Sequence, residues 1–192
     1  MTHGHTHDER RTDALLAIRA QLGEADAFDA LVRRWGLPLR RYALTFTDSG
    51  DAADDLVQEI WLGAVRGLAR LRDPMRFRSW LFGIAHRTAM NRLRGRYRTK
   101  ALNDDGPLPE IADADDPESP LEREATLNAL SKGMTRLKAT EWQVLQLFYL
   151  EQLTIAEIAG IMAVPPGTVK SRLFRARSQL KTEVELEMVD VR

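Results

Sequence analysis

The sequence contains no cysteine, which excludes disulfides and thiolate metal sites and suits a reducing compartment. It has no apolar run approaching the roughly 20 residues that cross a bilayer as a helix. Its first residues are polar and lack the apolar centre of a signal peptide. A cytoplasmic chain without membrane insertion is the expectation. No segment of length alternates polar and apolar residues as a strand does, and no internal repeat is present. No nucleophile with its base, phosphate loop or metal triad stands out, so neither an enzyme nor a bound cofactor or metal is expected. Net charge is also lacking: 28 basic and 28 acidic side chains cancel, so the whole chain has no general attraction for nucleic acid.

What is present is charge that is sorted along the chain. Between positions 66 and 100 eleven basic side chains stand against Asp73 alone. Between 104 and 124 nine acidic ones stand against Arg123 alone. Such sorting assigns different partners to different segments. The 192 residues suffice for two small domains, each with its own core.

Apolar residues recur at helical spacing almost everywhere outside the acidic stretch. Phe28, Leu31, Val32, Trp35, Leu39, Tyr42 and Phe46 line one face, with Pro38 inside the pattern predicting a kink or break. Leu56, Val57, Ile60, Trp61, Ala64, Val65 and Leu68 line a second, whose start is acidic at Asp51, Asp54 and Asp55. After the breaker Asp73-Pro74, a third helix has Phe77, Trp80, Leu81, Ile84, Ala85, Thr88 and Leu93 on one side. Its other side carries Arg87, Asn91, Arg94 and Arg98. Residues 101–119 combine prolines, glycine and aspartates without period, and read as a flexible, self-repelling linker. Capping boxes at Ser119, Thr140 and Thr154 then announce three helices divided by tight turns, and a fourth starts near Pro166.

The expected fold is all-α: two small helical domains on a flexible acidic linker. The expected segments are a disordered tail at 1–11, a first domain at 12–100, the linker at 101–119, a second domain at 120–185 and a tail at 186–192. In the second domain a short helix with Ile155, Ile158, Ala159 and Met162 on its apolar face meets the turn Ala163-Val164-Pro165. A basic helix follows, with Val169, Leu173, Ala176 and Leu180 inside. That is the form of a helix-turn-helix, whose second helix enters the major groove. Lys170, Ser171, Arg172, Phe174, Arg175 and Arg177 lie on its outer face, where cations meet phosphates or guanine acceptors.

Gly167-Thr168-Val169-Lys170-Ser171-Arg172-Leu173, then Arg175-Ala176-Arg177 and Leu180, resembles region four of extracytoplasmic-function sigma factors, as does Glu157-Ile158-Ala159 before it. The resemblance implies that this domain reads the minus-thirty-five promoter element. Relatives often place glycine where this chain has Ala163. A left-handed backbone there would cost alanine roughly 1 kcal/mol, so a differently built turn is expected. Asp54-Asp55-Leu56-Val57-Gln58-Glu59 resembles the helix that docks on the clamp helices of the polymerase largest subunit. It implies polymerase contacts by Asp55, Gln58, Glu59 and Trp61. Phe77-Arg78-Ser79-Trp80-Leu81, Ile84-Ala85 and Asn91-Arg92-Leu93-Arg94 resembles the helix that melts and reads the minus-ten element. It implies DNA contacts by Arg76, Arg78, Arg87, Asn91 and Arg94. Relatives often have asparagine where Arg87 stands, which leaves the preferred base at that step open.

Implied partners are core RNA polymerase, through its clamp helices and flap, promoter DNA, and an anti-sigma factor. The resemblance spans 25–98 and 121–180, two motif sets in family order. Two rival readings remain: a helix-turn-helix regulator acting on duplex DNA without polymerase, and a sigma-like decoy for an anti-sigma factor. The first leaves the acidic patch and arginine stripe unexplained; the second has no need of a basic recognition helix. His3, His5 and His7 read as incidental residues of a loose tail rather than a metal site, and His86 as structural.

Overall fold

A computed structural model describes residues 3–100 and 137–190, with side chains described for 8–95 and 137–182. Every described element is helical. The first module comprises α1 (His3–Gln21), α2 (Ala25–Leu44), α3 (Gly50–Leu68), a 3-10 turn (Pro74–Arg76) and α4 (Phe77–Lys100). The second comprises α5 (Ala139–Leu145), a π-helical turn (Gln146–Leu150), α6 (Ile155–Met162) and α7 (Pro166–Asp190). The acidic stretch at 101–119, the capping box at Ser119 and the side chains of His3, His5 and His7 lie outside the described residues.

Local chemistry explains most boundaries. Ser49 caps α3, its side chain accepting from Ala52 N at 3.2 Å. Asp73 caps the 3-10 turn through Met75 N at 3.0 Å, with Pro74 at the first position, where its missing N–H costs nothing. α6 opens on a complete capping box: Glu157 N donates to Thr154 Oγ1 at 3.2 Å, and Thr154 N donates to Glu157 Oε2 at 2.8 Å.

Four expectations change. The expected tail at 1–11 is helical from His3, because Glu9 and Arg10 find partners on other elements. α2 continues through Pro38 without a break. Leu31, Trp35, Leu39 and Tyr42 are buried on either side of it, and that packing outweighs the bond Pro38 cannot donate. α5 starts at Ala139 rather than after Thr140, with Glu141 reaching back to Lys138 N at 3.4 Å. α7 runs to Asp190, past the expected end at 185.

The first module's core is aromatic. Phe82 receives Trp35 and Tyr42 edge-on, with ring centroids 6.0 and 5.4 Å away. The second is aliphatic: Val144, Leu147, Leu153, Ile158, Val169 and Leu173 are buried. The modules are not separate. α4 packs directly on α6, and the two cores join into one buried cluster. Gln143 Nε2 donates to Thr45 Oγ1 at 3.2 Å, and Arg10 donates to the Gln152 carbonyl at 2.9 Å.

Candidate nucleic-acid and partner interfaces

On α3, the buried residues Ala53, Leu56, Ile60, Ala64 and Leu68 fix which side faces out. Asp55, Gln58 and Glu59 are exposed, one turn apart on that outer side. Trp61 is only half-buried and stands edge-on to Phe28 at 5.6 Å. The strip continues instead through Leu62 and Val65, 55% and 56% exposed, which the apolar periodicity alone did not place outside. Arg92 from α4 spans the acids, 3.8 Å from Asp55 and 3.9 Å from Glu59, while donating to the Ala52 carbonyl at 3.3 Å. The result is an apolar strip with an acidic end, a composition suited to a protein partner.

Of the residues implied for the minus-ten strand, Arg76, Arg87, Asn91 and Arg94 are exposed, and the last three form a stripe along α4. Arg78 is different and must be withdrawn from that surface. It is 5% exposed. Its Nε donates to Asp13 Oδ2 at 2.7 Å, its NH2 meets Glu9 at 3.0 Å, and its guanidinium lies over the Trp35 ring at 5.0 Å. Asp13 is itself buried and also receives Arg34 at 2.8 Å and Trp35 Nε1 at 3.2 Å. A fully paired buried ion belongs to the architecture, not to a DNA surface.

A cleft of about 410 Å³ opens beside the 3-10 turn. Arg70, Arg72, Arg76 and Arg87 line it with the half-buried Trp80, and α6 forms its far wall. His86, next to Arg87 on α4, packs against Phe46 with ring centroids 5.9 Å apart. Its Nδ1 shares a 3.0 Å hydrogen bond with the Tyr42 hydroxyl. Burial, with the charges of Arg172 and Arg87 behind it, pushes its imidazole down to about 4. It is structural, as its place beside the core face suggested.

The helix-turn-helix is formed by α6 and α7. The expected alternative turn is not found: Ala163 adopts the left-handed conformation, φ 52° and ψ 44°. Val164 N donates to the Ala159 carbonyl at 3.1 Å, closing the helix end. Val169, Leu173 and Ala176 turn inward, leaving Lys170, Ser171, Phe174, Arg175 and Arg177 exposed. Phe174 is 71% exposed, an apolar side chain with no reason to face water in isolation. Arg172 is only half-buried, and its charge is felt at His86 of α4. Arg175 Nε donates to the buried Glu141 at 3.0 Å, and Arg177 lies over Phe148 and Tyr149 at 5.5 and 5.3 Å. These two arginines are therefore partly engaged, and Glu141, which sequence reasoning treated only as a cap, positions one of them.

A basic recognition helix in one module and a cationic helix beside an acidic-apolar strip in the other define a two-module DNA-binding protein that also has a protein-docking face. The Sigma-70 region 2 family matches residues 31–99, and the Sigma-70, region 4 family matches 127–180. The chain is 32% identical over 188 residues to the ECF RNA polymerase sigma-E factor of Escherichia coli, covering 92% of this chain and 96% of that one. It is 31% identical over 176 residues to the RNA polymerase sigma-H factor of Pseudomonas aeruginosa, covering 88% and 91%. Among solved structures, CnrH in complex with the cytosolic domain of CnrY superposes with a TM-score of 0.60 at 25% identity, covering 91% of this chain and 98% of that one. The sigma factor RpoE of Bartonella quintana, in complex with the anti-sigma factor NepR, shares the fold, with a TM-score of 0.65 at 23% identity over 81% and 97%. The chain belongs to the extracytoplasmic-function sigma factors.

Proposed function

We propose that the chain acts in the cytoplasm, binding core RNA polymerase and directing it to promoters by recruitment rather than by chemistry of its own. The observation that carries this reading is the coexistence of two unlike surfaces on one module. The exposed strip of Asp55, Gln58, Glu59, Leu62 and Val65 suits the clamp helices. The stripe of Arg87, Asn91 and Arg94, with Arg76 beside it, suits an opened minus-ten strand, whose backbone needs cations. The second module meets the flap and reads the duplex minus-thirty-five element through Lys170, Ser171, Phe174 and Arg175, with Arg172 and Arg177 at the margins. Ser171 donates its hydroxyl proton to the Thr168 carbonyl at 2.9 Å, so toward DNA it serves as an acceptor. The acidic stretch at 101–119 threads the polymerase channel, where its charge mimics nucleic acid and yields to nascent RNA. An anti-sigma factor holds the free chain, a reading in keeping with the sigma factor RpoE, of the same fold, having been solved with the anti-sigma factor NepR.

The test is binding to purified core polymerase followed by transcription from genomic fragments with the start sites mapped. No affinity for core polymerase would reduce the chain to a duplex binder. Replacing Lys170 and Arg175 by alanine should weaken promoter binding and flatten its salt dependence, by about 0.9 in the log–log slope for each phosphate no longer neutralised. Unchanged binding by that double variant would remove the recognition face.

A further inference from the structure

The cations of the recognition helix are not equally free. Lys170 is exposed and has no hydrogen bond or ion pair among the described residues. Arg177 lies over the Phe148 and Tyr149 rings. Arg175 is tethered at one atom: its Nε donates to Glu141 Oε1 at 3.0 Å, while its side chain stays 59% exposed. The tether is itself anchored. Glu141 is 5% exposed, and its Oε2 accepts from Lys138 N at 3.4 Å where α5 begins. One carboxylate oxygen thus closes a helix start, and the other is left for the guanidinium.

Stability does not account for the second contact. The cap of α5 uses Oε2 alone. α5 already packs on α7, with Val144 and Leu145 on one side and Leu173 and Ala176 on the other buried. An ion pair with one mostly exposed partner adds little to a fold, and a buried carboxylate costs desolvation. What the contact does fix is direction. A guanidinium carries its N–H donors in a planar fork. With Nε engaged, the donors that remain sit on the two terminal nitrogens, side by side at the exposed end. That edge pairs with O6 and N7 of guanine. A phosphate makes no such demand on direction, and the adjoining carboxylate offsets the charge that would draw Arg175 to one.

We propose that Glu141 is the positioning residue of duplex readout: it holds Arg175 by Nε so that the terminal nitrogens meet a guanine edge rather than the backbone. The proposal rests on the reading of the second module as the one that meets duplex promoter DNA. Labour on the helix is thereby divided. Lys170, free and charged, takes phosphate and supplies affinity. Arg175, tethered and partly neutralised, takes a base and supplies discrimination. Glu141 touches no DNA itself; it sets which sequence is chosen by restricting where one arginine points.

The test selects duplexes from a pool of randomised base pairs, using the immobilised full chain without polymerase. The parent, Glu141→Gln, Arg175→Lys and the double variant are compared. Glu141→Gln keeps the side-chain length and the ability to cap. Its single oxygen can face Lys138 N or Arg175 Nε, not both. Arg175→Lys sits at an exposed position, keeps the charge and loses the fork.

The parent should prefer guanine at one position by about tenfold over the other bases. Arg175→Lys should abolish that preference and spare those at other positions. Glu141→Gln should reduce it severalfold at the same position without weakening the binding of non-specific duplex. It should also steepen the log–log salt slope by up to about 0.9, as the released arginine takes a phosphate. The double variant should match Arg175→Lys alone, because both changes break one device.

A guanine preference that survives Glu141→Gln intact overturns the proposal. So do additive losses in the double variant. A uniform loss of affinity at every position, with a lowered Tm, overturns it too, since that is the signature of a damaged cap. A parent without any guanine preference that depends on Arg175 ends it outright. Core polymerase binding, read through α3, is scored separately: its failure would sink the functional reading and leave the duplex result standing.

Discussion

Both modules bury charged and polar side chains, but they treat them differently. In the first, Asp13 has every neighbour it needs: Arg78, Arg34 and Trp35 all reach it within 3.2 Å. In the second, Gln146 is fully buried with neither amide atom hydrogen-bonded among the described residues, and Glu151 leaves one oxygen without such a bond there. A satisfied buried network fixes one arrangement of its helices, whereas unsatisfied groups lower the cost of rearrangement. The Asp13 network thereby fixes how α1, α2 and α4 meet. In the second module the described residues provide no such network around Gln146 and Glu151.

The sharpest way to break this contrast is to damage the satisfied network. Asp13→Ala leaves the buried Arg78 with only the half-exposed Glu9 as its acid and removes the acceptor of Arg34 and Trp35 Nε1, and the loss should be about 3 kcal/mol of stability, read as a large fall in Tm. A fall no greater than that of an exposed substitution would mean that the network does not hold these helices together.

A second test uses pH. Burial pushes the Glu151 carboxyl up from 4.5 to about 7, against the pull of Arg41 and Arg78. The folded arrangement therefore holds this proton more tightly than the open chain. Its contribution is fully present below 4.5 and is lost as pH rises toward 7. His86 acts in the opposite sense. With its imidazole lowered from 6.5 to about 4, it costs stability as pH falls from 6.5 to 4. The two effects oppose each other over most of that window. Glu151→Gln should remove the alkaline decline and leave the acid one; His86→Gln should do the reverse. Thermal denaturation from pH 4 to 8 checks both, and identical profiles for parent and Glu151→Gln would show that this carboxyl is not desolvated.

The smallest effect concerns the helix-turn-helix itself. Ala163→Gly should raise stability by about 1 kcal/mol by relieving the left-handed backbone, while leaving promoter affinity unchanged. Urea denaturation and an equilibrium DNA titration measure the two halves of that statement.

Much of this was legible in the sequence because helical period, capping boxes and turn residues act locally. The α6 box at Thr154, the start of α7 at Pro166 and the inward set Val169, Leu173 and Ala176 follow from spacing alone. Arg78 was misplaced because its charge was read before its position. It falls four residues before Phe82 and seven before Ala85, on the buried stripe. The partner that makes burial possible, Asp13, lies 65 residues away. Val65 was misplaced for the complementary reason: an apolar residue flanking a buried stripe looks like part of it, while Leu62 was left off the stripe and given no role. The packing of α6 on α4 left no local mark, since it depends on how two separately encoded surfaces meet.

Glu157 ties the two tasks of the second module together. One carboxylate both fastens the first turn of α6 and receives Arg10 from the other module. The seat that the first module offers the second and the start of the reading head's first helix thus draw on a single side chain, so a change at Glu157 disturbs both at once.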